Sequence, residues 1–171
     1  VVRRLWEGDR PLVLDADGLN ILASQKLWHS VPRNITKDPT ILTPHPGEFK
    51  RLFPDIEGAG VDAARSAARD CGAIVVYKGA RPAIAHPDGS AWLVAESTPA
   101  LARGGSGDVL TGLVGGLVAQ GVKQERAIAP MVAAAVGWHA AAGMAAERDR
   151  GQLGVDPSTL VEYLQLGAIG F

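Results

Sequence analysis

Residues 102–112 read ARGGSGDVLTG and lead into the apolar run 109–118. Glycines at 104, 105 and 107 allow positive φ angles and bring N–H groups against a ligand with no Cβ in between. That is a nest for an anion. The helix predicted by the apolar run adds unsatisfied amides and a macrodipole of roughly half a positive charge at the same end, which favours a phosphate or a developing oxyanion. Asp108 fits two readings. As a first-turn carboxylate it complements the dipole; as a catalytic group it accepts the proton of an attacking hydroxyl while the amides hold a transferring phosphoryl group. The two are compatible. Other phosphate loops are excluded, because a GxxxxGK(S/T) pattern is absent and GGSGD lacks the spacing and the preceding strand of a dinucleotide fingerprint.

Working outward, short β-branched runs alternate with segments of helical period, the pattern of an α/β sheet joined by crossovers. Strands are predicted at 11–15 (PLVLD), 39–43 (PTILT) and 73–77 (AIVVY), with helices at 19–27, 47–52 and 61–71, the last closed by Gly72. Residues 81–95 contain two apolar runs around HPDGS, which predicts a β-hairpin turning at Asp88-Gly89. The remainder reads as helix: 108–120 up to Gly121, then 124–148 with Pro130 as a kink or restart, and a last helix opened by Pro157. The expected fold is α/β, a mostly parallel central sheet flanked by helices on both faces. No repeat, low-complexity tract or linker divides the chain, so residues 1–171 are expected to form a single domain. The sequence starts without Met a few residues before a buried strand, and a sheet neighbour is expected upstream.

Composition narrows the function classes. The chain has 171 residues, 47% hydrophobic, with 17 basic and 18 acidic residues that are scattered rather than clustered. Nothing forms the electrostatic footprint of a nucleic-acid or anionic-membrane binder, so small-molecule partners are expected. One cysteine excludes an internal disulfide framework, fits a reducing compartment and a cytoplasmic location, and with the lack of Cys/His clusters argues against structural zinc. No apolar run is read as reaching the roughly 18–20 residues that span a bilayer, and a soluble protein is expected.

Three further motifs lie at predicted strand ends, where open α/β sheets bind ligands. DADGLN places Asp15, Asp17 and Asn20 there, as ligand contacts or as helix caps. TPHPGE brackets His45 between two prolines, a stiff loop that aims the imidazole, and opens the next helix with Glu48, a dipole partner or a magnesium organiser. YKGARP presents Lys78 after the third strand, suited to a nucleotide phosphate or simply solvated, with Gly79 giving backbone access. His29, His86, His139, Trp92 and Trp138 are assigned to packing or turns.

Taken together, LDADGLNIL (14–22), ILTPHPGEFKRL (41–52), VVYKGARPAIAHPDG (75–89) and GGSGDVLTG (104–112) resemble the ADP/ATP-dependent NAD(P)H-hydrate dehydratases of the ribokinase-like superfamily. The resemblance implies a ribokinase-like fold and ADP-dependent dehydration of (6S)-NAD(P)H hydrate to NAD(P)H with release of AMP and phosphate. It implies Asp108 as base, Gly104, Gly105, Ser106 and Gly107 as the anion hole, and Lys78, Gly79, Ala80, Arg81, Pro82 and Gly107 as nucleotide contacts. Substrate contacts would be His45, Asp17, Asn20 and Asp108. By the same resemblance ADP or ATP would be the phosphoryl donor, with Mg2+ carried by the nucleotide rather than by dedicated ligands. Departures from the family pattern are Arg103 for a small residue such as Thr, Thr98 for Asn and Pro82 for Thr. The family's N-terminal portion has no match, so the domain is expected to be N-terminally incomplete, with a homo-oligomer or a proteolytic origin to follow. The alternatives are an ATP-dependent kinase of the hydroxymethylpyrimidine or hydroxyethylthiazole type and a non-catalytic nucleotide-binding fragment.

Overall fold

The computed structural model describes residues 1–30, 33 and 38–167. They fall into two compact units, 1–93 and 94–171. In the first, a helix Val2–Trp6 (α1) precedes β1 (Leu12–Leu14), α2 (Asp17–Gln25), α3 (Leu27–Ser30), β2 (Thr40–Leu42), α4 (Pro46–Leu52), α5 (Gly60–Cys71), β3 (Ile74–Tyr77), β4 (Ala83–Ala85) and β5 (Ala91–Leu93). The strands form one sheet in sequence order. β1 pairs with β2 in parallel, Leu12 opposite Thr40, and β2 with β3, Ile41 opposite Ile74. β4 and β5 return antiparallel, Val76 opposite Ile84 and Ile84 opposite Trp92. The sheet is therefore mixed, and the expectation of a mostly parallel sheet holds for β1–β3 only. The predicted hairpin supplies the rest, turning through Gly89 at φ 95°.

Burial explains why these segments pair. Ile41, Leu42, Ile74, Val75, Val76 and Ile84 are at most 1% exposed, and burying each such side chain contributes roughly 1.5–3 kcal/mol. α5 meets β3 and β4 through a stripe of Ala63, Ala64, Ala67, Ala68 and Cys71, whose small side chains let a helix lie close on a sheet. Gly72 ends it at φ 65°, donating its N–H to the Ala68 carbonyl, as predicted. The helix predicted at 19–27 breaks at Lys26, which is left-handed at φ 44°, and restarts as α3. α1, which has no helical prediction, buries Val2 and Trp6. Its C-terminal carbonyls are met by Arg33, which donates to Leu5 O (3.1 Å) and Gly8 O (2.8 Å) and lies over the Trp6 ring.

The second unit is helical: a 3-10 turn Pro99–Leu101, α6 (Ser106–Lys123), α7 (Ile128–Arg150), a 3-10 turn Gln152–Gly154 and α8 (Pro157–Gly167). α6 runs past Gly121 because that glycine is a packing position rather than a stop. A Cβ there would lie 2.5 Å from Met131 Sδ and 2.9 Å from Ile128 Cδ1 of α7. α7 starts at Ile128, not at residue 124, and Pro130 sits in its first turn, where the missing N–H has no intrahelical acceptor to lose. α7 also corrects the expectation about apolar runs: by length and composition it is long and apolar enough to cross a membrane. In the structure it buries Ala129, Val132, Ala135, Val136, His139, Ala140, Ala142, Gly143 and Ala146 and packs against α6 and α8.

Candidate active site

Two clusters hold the sequence-predicted residues, one in each unit. In the first unit the ends of β1, β2 and β3 are cross-linked. Lys78 N donates to Pro44 O (2.8 Å), and Thr43 donates to Leu14 O from both its N–H and its hydroxyl (3.1 Å each). His45 is the N-cap of α4. Its Nδ1 accepts from Gly47 N (3.0 Å) and Glu48 N (3.3 Å), while Glu48 Oε2 accepts from His45 N (2.8 Å). This reciprocal cap, more than the prolines, sets the direction of the imidazole. With Nδ1 accepting, the ring's hydrogen-bond donor is Nε2, which lies 3.5 Å from Glu48 Oε1, on a side chain that is 51% exposed.

Lys78 is not a bare cation. Its Nζ donates to Asp15 Oδ1 at 2.7 Å and lies 4.0 Å from Glu48 Oε2, so two partly or fully buried carboxylates face one ammonium. Glu48 thus serves as cap and counter-charge. Asp17 is exposed in the first turn of α2, and Asn20 is held by Arg51, whose Nε donates to its Oδ1 at 3.0 Å. Gly79, Ala80 and Arg81 are exposed in the connection to β4, with Pro82 half-buried, and nothing beyond its chain neighbours lies within 4 Å of where a Gly79 Cβ would be.

In the second unit α6 begins at Ser106, two residues before the predicted start. Gly105 is its N-cap at φ 89°, and no side chain caps the helix. First-turn amides lack intrahelical acceptors, so an uncapped start leaves them open to an anion. Ser106 N–H is the exception, donating to Arg103 O at 3.2 Å. Gly107 and Asp108 follow it in the first turn, and Asp108 is exposed. Arg103, the departure from the family pattern beside the glycines, donates from Nη1 to Leu153 O (2.9 Å) and Val155 O (2.8 Å). A Cβ on Gly105 would lie 2.5 Å from Pro157 Cγ. The glycine turn is therefore shaped from outside by residues 153–157. Thr98 Oγ1 donates to Glu147 Oε2 (2.6 Å) and accepts from Ala100 N (3.0 Å), closing the preceding 3-10 turn.

A family model described as NAD(P)H-hydrate dehydratase, of carbohydrate-kinase type, matches residues 1–166. The chain belongs to the NAD(P)H-hydrate dehydratase family. It is 55% identical over 155 residues to a bifunctional NAD(P)H-hydrate repair enzyme, Nnr, of Synechocystis sp., covering 90% of this chain and 29% of that one. An ADP-dependent (S)-NAD(P)H-hydrate dehydratase of Neisseria meningitidis is 44% identical over 119 residues, 67% of this chain and 39% of its own. The crystal structure of an ADP/ATP-dependent NAD(P)H-hydrate dehydratase from Bacillus subtilis, co-crystallized with ATP/Mg2+ and soaked with CoA, aligns with a TM-score of 0.78 at 28% identity. That alignment covers 96% of this chain and 57% of that one. The fold is thus ribokinase-like. The chain spans under two-fifths of both sequence relatives and a little over half of the solved structure.

Within this dehydratase-family chain, no group of three His, Cys, Asp or Glu side chains among the described residues is placed to hold a metal ion. Asp15 and Glu48, the carboxylates nearest Lys78, are already committed to that ammonium and to the α4 cap. A cleft of about 320 Å³ in the first unit is lined by Lys26, Trp28, His29, Arg51, Asp55 and Asp70, among others, and contains none of the predicted site residues.

Sequence reasoning placed Asp15 at the strand end without foreseeing its partner, and missed a role for His139. Asp15 is the main partner of Lys78 across 63 positions of sequence. His139, assigned to packing, is 6% exposed on α7, with Nε2 3.0 Å from Ser106 O and 3.3 Å from Ser106 Oγ. The signal was available: a polar ring inside a run of alanines and glycines must find a partner once buried.

Proposed function

We propose that the chain carries the ADP-dependent dehydration of (6S)-NAD(P)H hydrate to NAD(P)H, releasing AMP and phosphate. The observation that carries the reading is the uncapped start of α6, where a left-handed Gly105 precedes first-turn amides with Asp108 beside them. Hydroxide leaves a ring carbon poorly, and phosphorylation converts it to a good leaving group. Asp108 takes the proton of the substrate hydroxyl, whose oxygen attacks the terminal phosphorus of ADP while the bond to AMP breaks. The amides of Gly104, Gly105 and Gly107 hold the charge on the transferring group, with Ser106 shaping the turn. The ring-nitrogen electron pair then expels phosphate, and loss of a proton from the neighbouring carbon restores the ring double bond.

Lys78, aligned by Asp15, and the 79–82 connection are proposed to meet the nucleotide, and the half-exposed His45 side chain with Asp17 and Asn20 to meet the hydrated nicotinamide. Magnesium, proposed to arrive with the nucleotide, supplies charge neutralisation on the donor oxygens. The names of the Neisseria and Bacillus relatives support ADP or ATP as donor. The proposal includes a cytoplasmic setting, small-molecule partners rather than nucleic acid or membrane, and a homo-oligomer. Among the described residues β1 pairs on one side only, with β2, and this open edge supports association.

The test is turnover of the chain with NADHX, ADP and magnesium, followed by the return of NADH absorbance. Asp108→Asn is expected to retain ADP affinity and lower the rate by about 10²–10⁴-fold, the range of a lost general base. A stable phosphoester in place of NADH would assign a kinase instead, and ADP binding without turnover by the unaltered chain would assign a nucleotide-binding piece.

A further inference from the structure

We propose that His139 is a positioning residue that aims the Gly107 amide at the anion. The inference rests on the reading of the α6 start given above. A carbonyl oxygen only accepts, so a ring nitrogen 3.0 Å from Ser106 O carries the proton and donates to it. The Ser106 hydroxyl lies 3.3 Å from the same nitrogen. Together with its own N–H, which donates to Arg103 O at 3.2 Å, Ser106 is held at three points.

Geometry transmits this grip. The peptide joining Ser106 to Gly107 is planar and trans, so its C=O and N–H point in opposite directions. Ser106 opens α6, so its carbonyl runs along the helix axis and the Gly107 N–H points back out of the helix start; the His139 N–H adds a donor from α7 that holds the tilt of this peptide, and with it the aim of that amide. Gly107 has no Cβ to shield that amide, and Gly105, held against Pro157, fixes the approach of the chain from the other side. The imidazole is itself buried, 6% exposed, on a stretch of α7 that also buries Ala135, Val136, Ala142 and Gly143. His139 therefore reaches the turn through the Ser106 peptide, as a positioning residue.

The experiment compares the unaltered chain with His139→Ala and His139→Gln, the glutamine amide being able to place an N–H near the position of Nε2. Folding is checked by circular dichroism and thermal melting. Each protein is then titrated with inorganic phosphate while the Gly104, Gly105 and Gly107 amides are followed by ¹⁵N–¹H spectra, and turnover of NADHX is measured. In His139→Ala the phosphate-induced shift of Gly107 is expected to vanish. Its kcat is expected to fall by roughly a hundredfold, the cost of a small misplacement, with KM for NADHX little changed. His139→Gln is expected to recover most of both. If folded His139→Ala keeps the Gly107 shift and the kcat, or glutamine rescues no better than alanine, the positioning role is overturned. If the unaltered chain gives no phosphate shift at these glycines, the reading of the turn falls, and His139 with it.

Discussion

A methyl group at position 47 would lie 2.9 Å from His45 Cε1 and 3.3 Å from its Nδ1. The glycine is there for the cap: the imidazole folds back over the first turn of α4, and only a residue without Cβ leaves it room. Gly47→Ala is expected to displace the ring and destabilise the chain by about 1 kcal/mol, the usual worth of an N-cap, measured by urea unfolding. His45→Ala should cost a similar amount, and combining the two should cost little more, because both remove one interaction. The sequence shows proline on both sides of His45 and a glutamate three residues on. The reciprocal cap was hidden because imidazole stands where Ser or Thr usually does. The partners of Lys78 and His139 were illegible for a different reason. They lie 63 and 33 positions away, and no local pattern encodes a contact that only the folded chain creates.

At the scale of elements, strands were read better than helix ends. β-branched runs that must be buried announce themselves, and β1, β2 and β3 lie within the predicted segments. Helix ends turned on glycines with two meanings. Gly72 stops α5 by going left-handed, whereas Gly121 continues α6 because Met131 and Ile128 need the space. The hairpin was recognised from Asp88-Gly89, and its turn carries a pH signature. Asp88 is lowered from 3.8 to about 2, first by the Ser90 hydroxyl and then by the Ser90 N–H, which donate to its Oδ1 at 2.6 and 2.8 Å. A carboxylate with a depressed folded-state pKa stabilises above its unfolded value, and the contribution is lost as pH falls through the folded one. Asp88→Asn should therefore destabilise relative to the unaltered chain near neutral pH. The difference in urea midpoint should shrink below about pH 4 and disappear near about pH 2.

For the molecule as a whole, composition was informative about chemistry and less so about membranes. The single cysteine carries no disulfide and is buried at the end of α5, where desolvation pushes the thiol up to about 12. Cys71 is expected to resist alkylation under native conditions at about pH 8 and to react once the first unit unfolds, since the thiolate is the reactive form. Labelling that follows the far-ultraviolet unfolding curve would bear this out, and rapid native labelling would contradict it. The expectation about apolar runs failed on α7, whose uncharged length is spent on contacts with α6 and α8, and whose small residues serve close approach. Gly143 is the clearest case: a Cβ there would lie 2.7 Å from Leu101 Cδ2.

The ring of Pro157 occupies the space on the outer side of Gly105. One steric allowance is thus shared by residues at opposite ends of the second unit's sequence. Enlarging either must be answered at the other, so the two positions should be inherited as a pair. A graft of residues 102–112 onto a foreign helix would carry over the glycines without the buttress that gives them their shape.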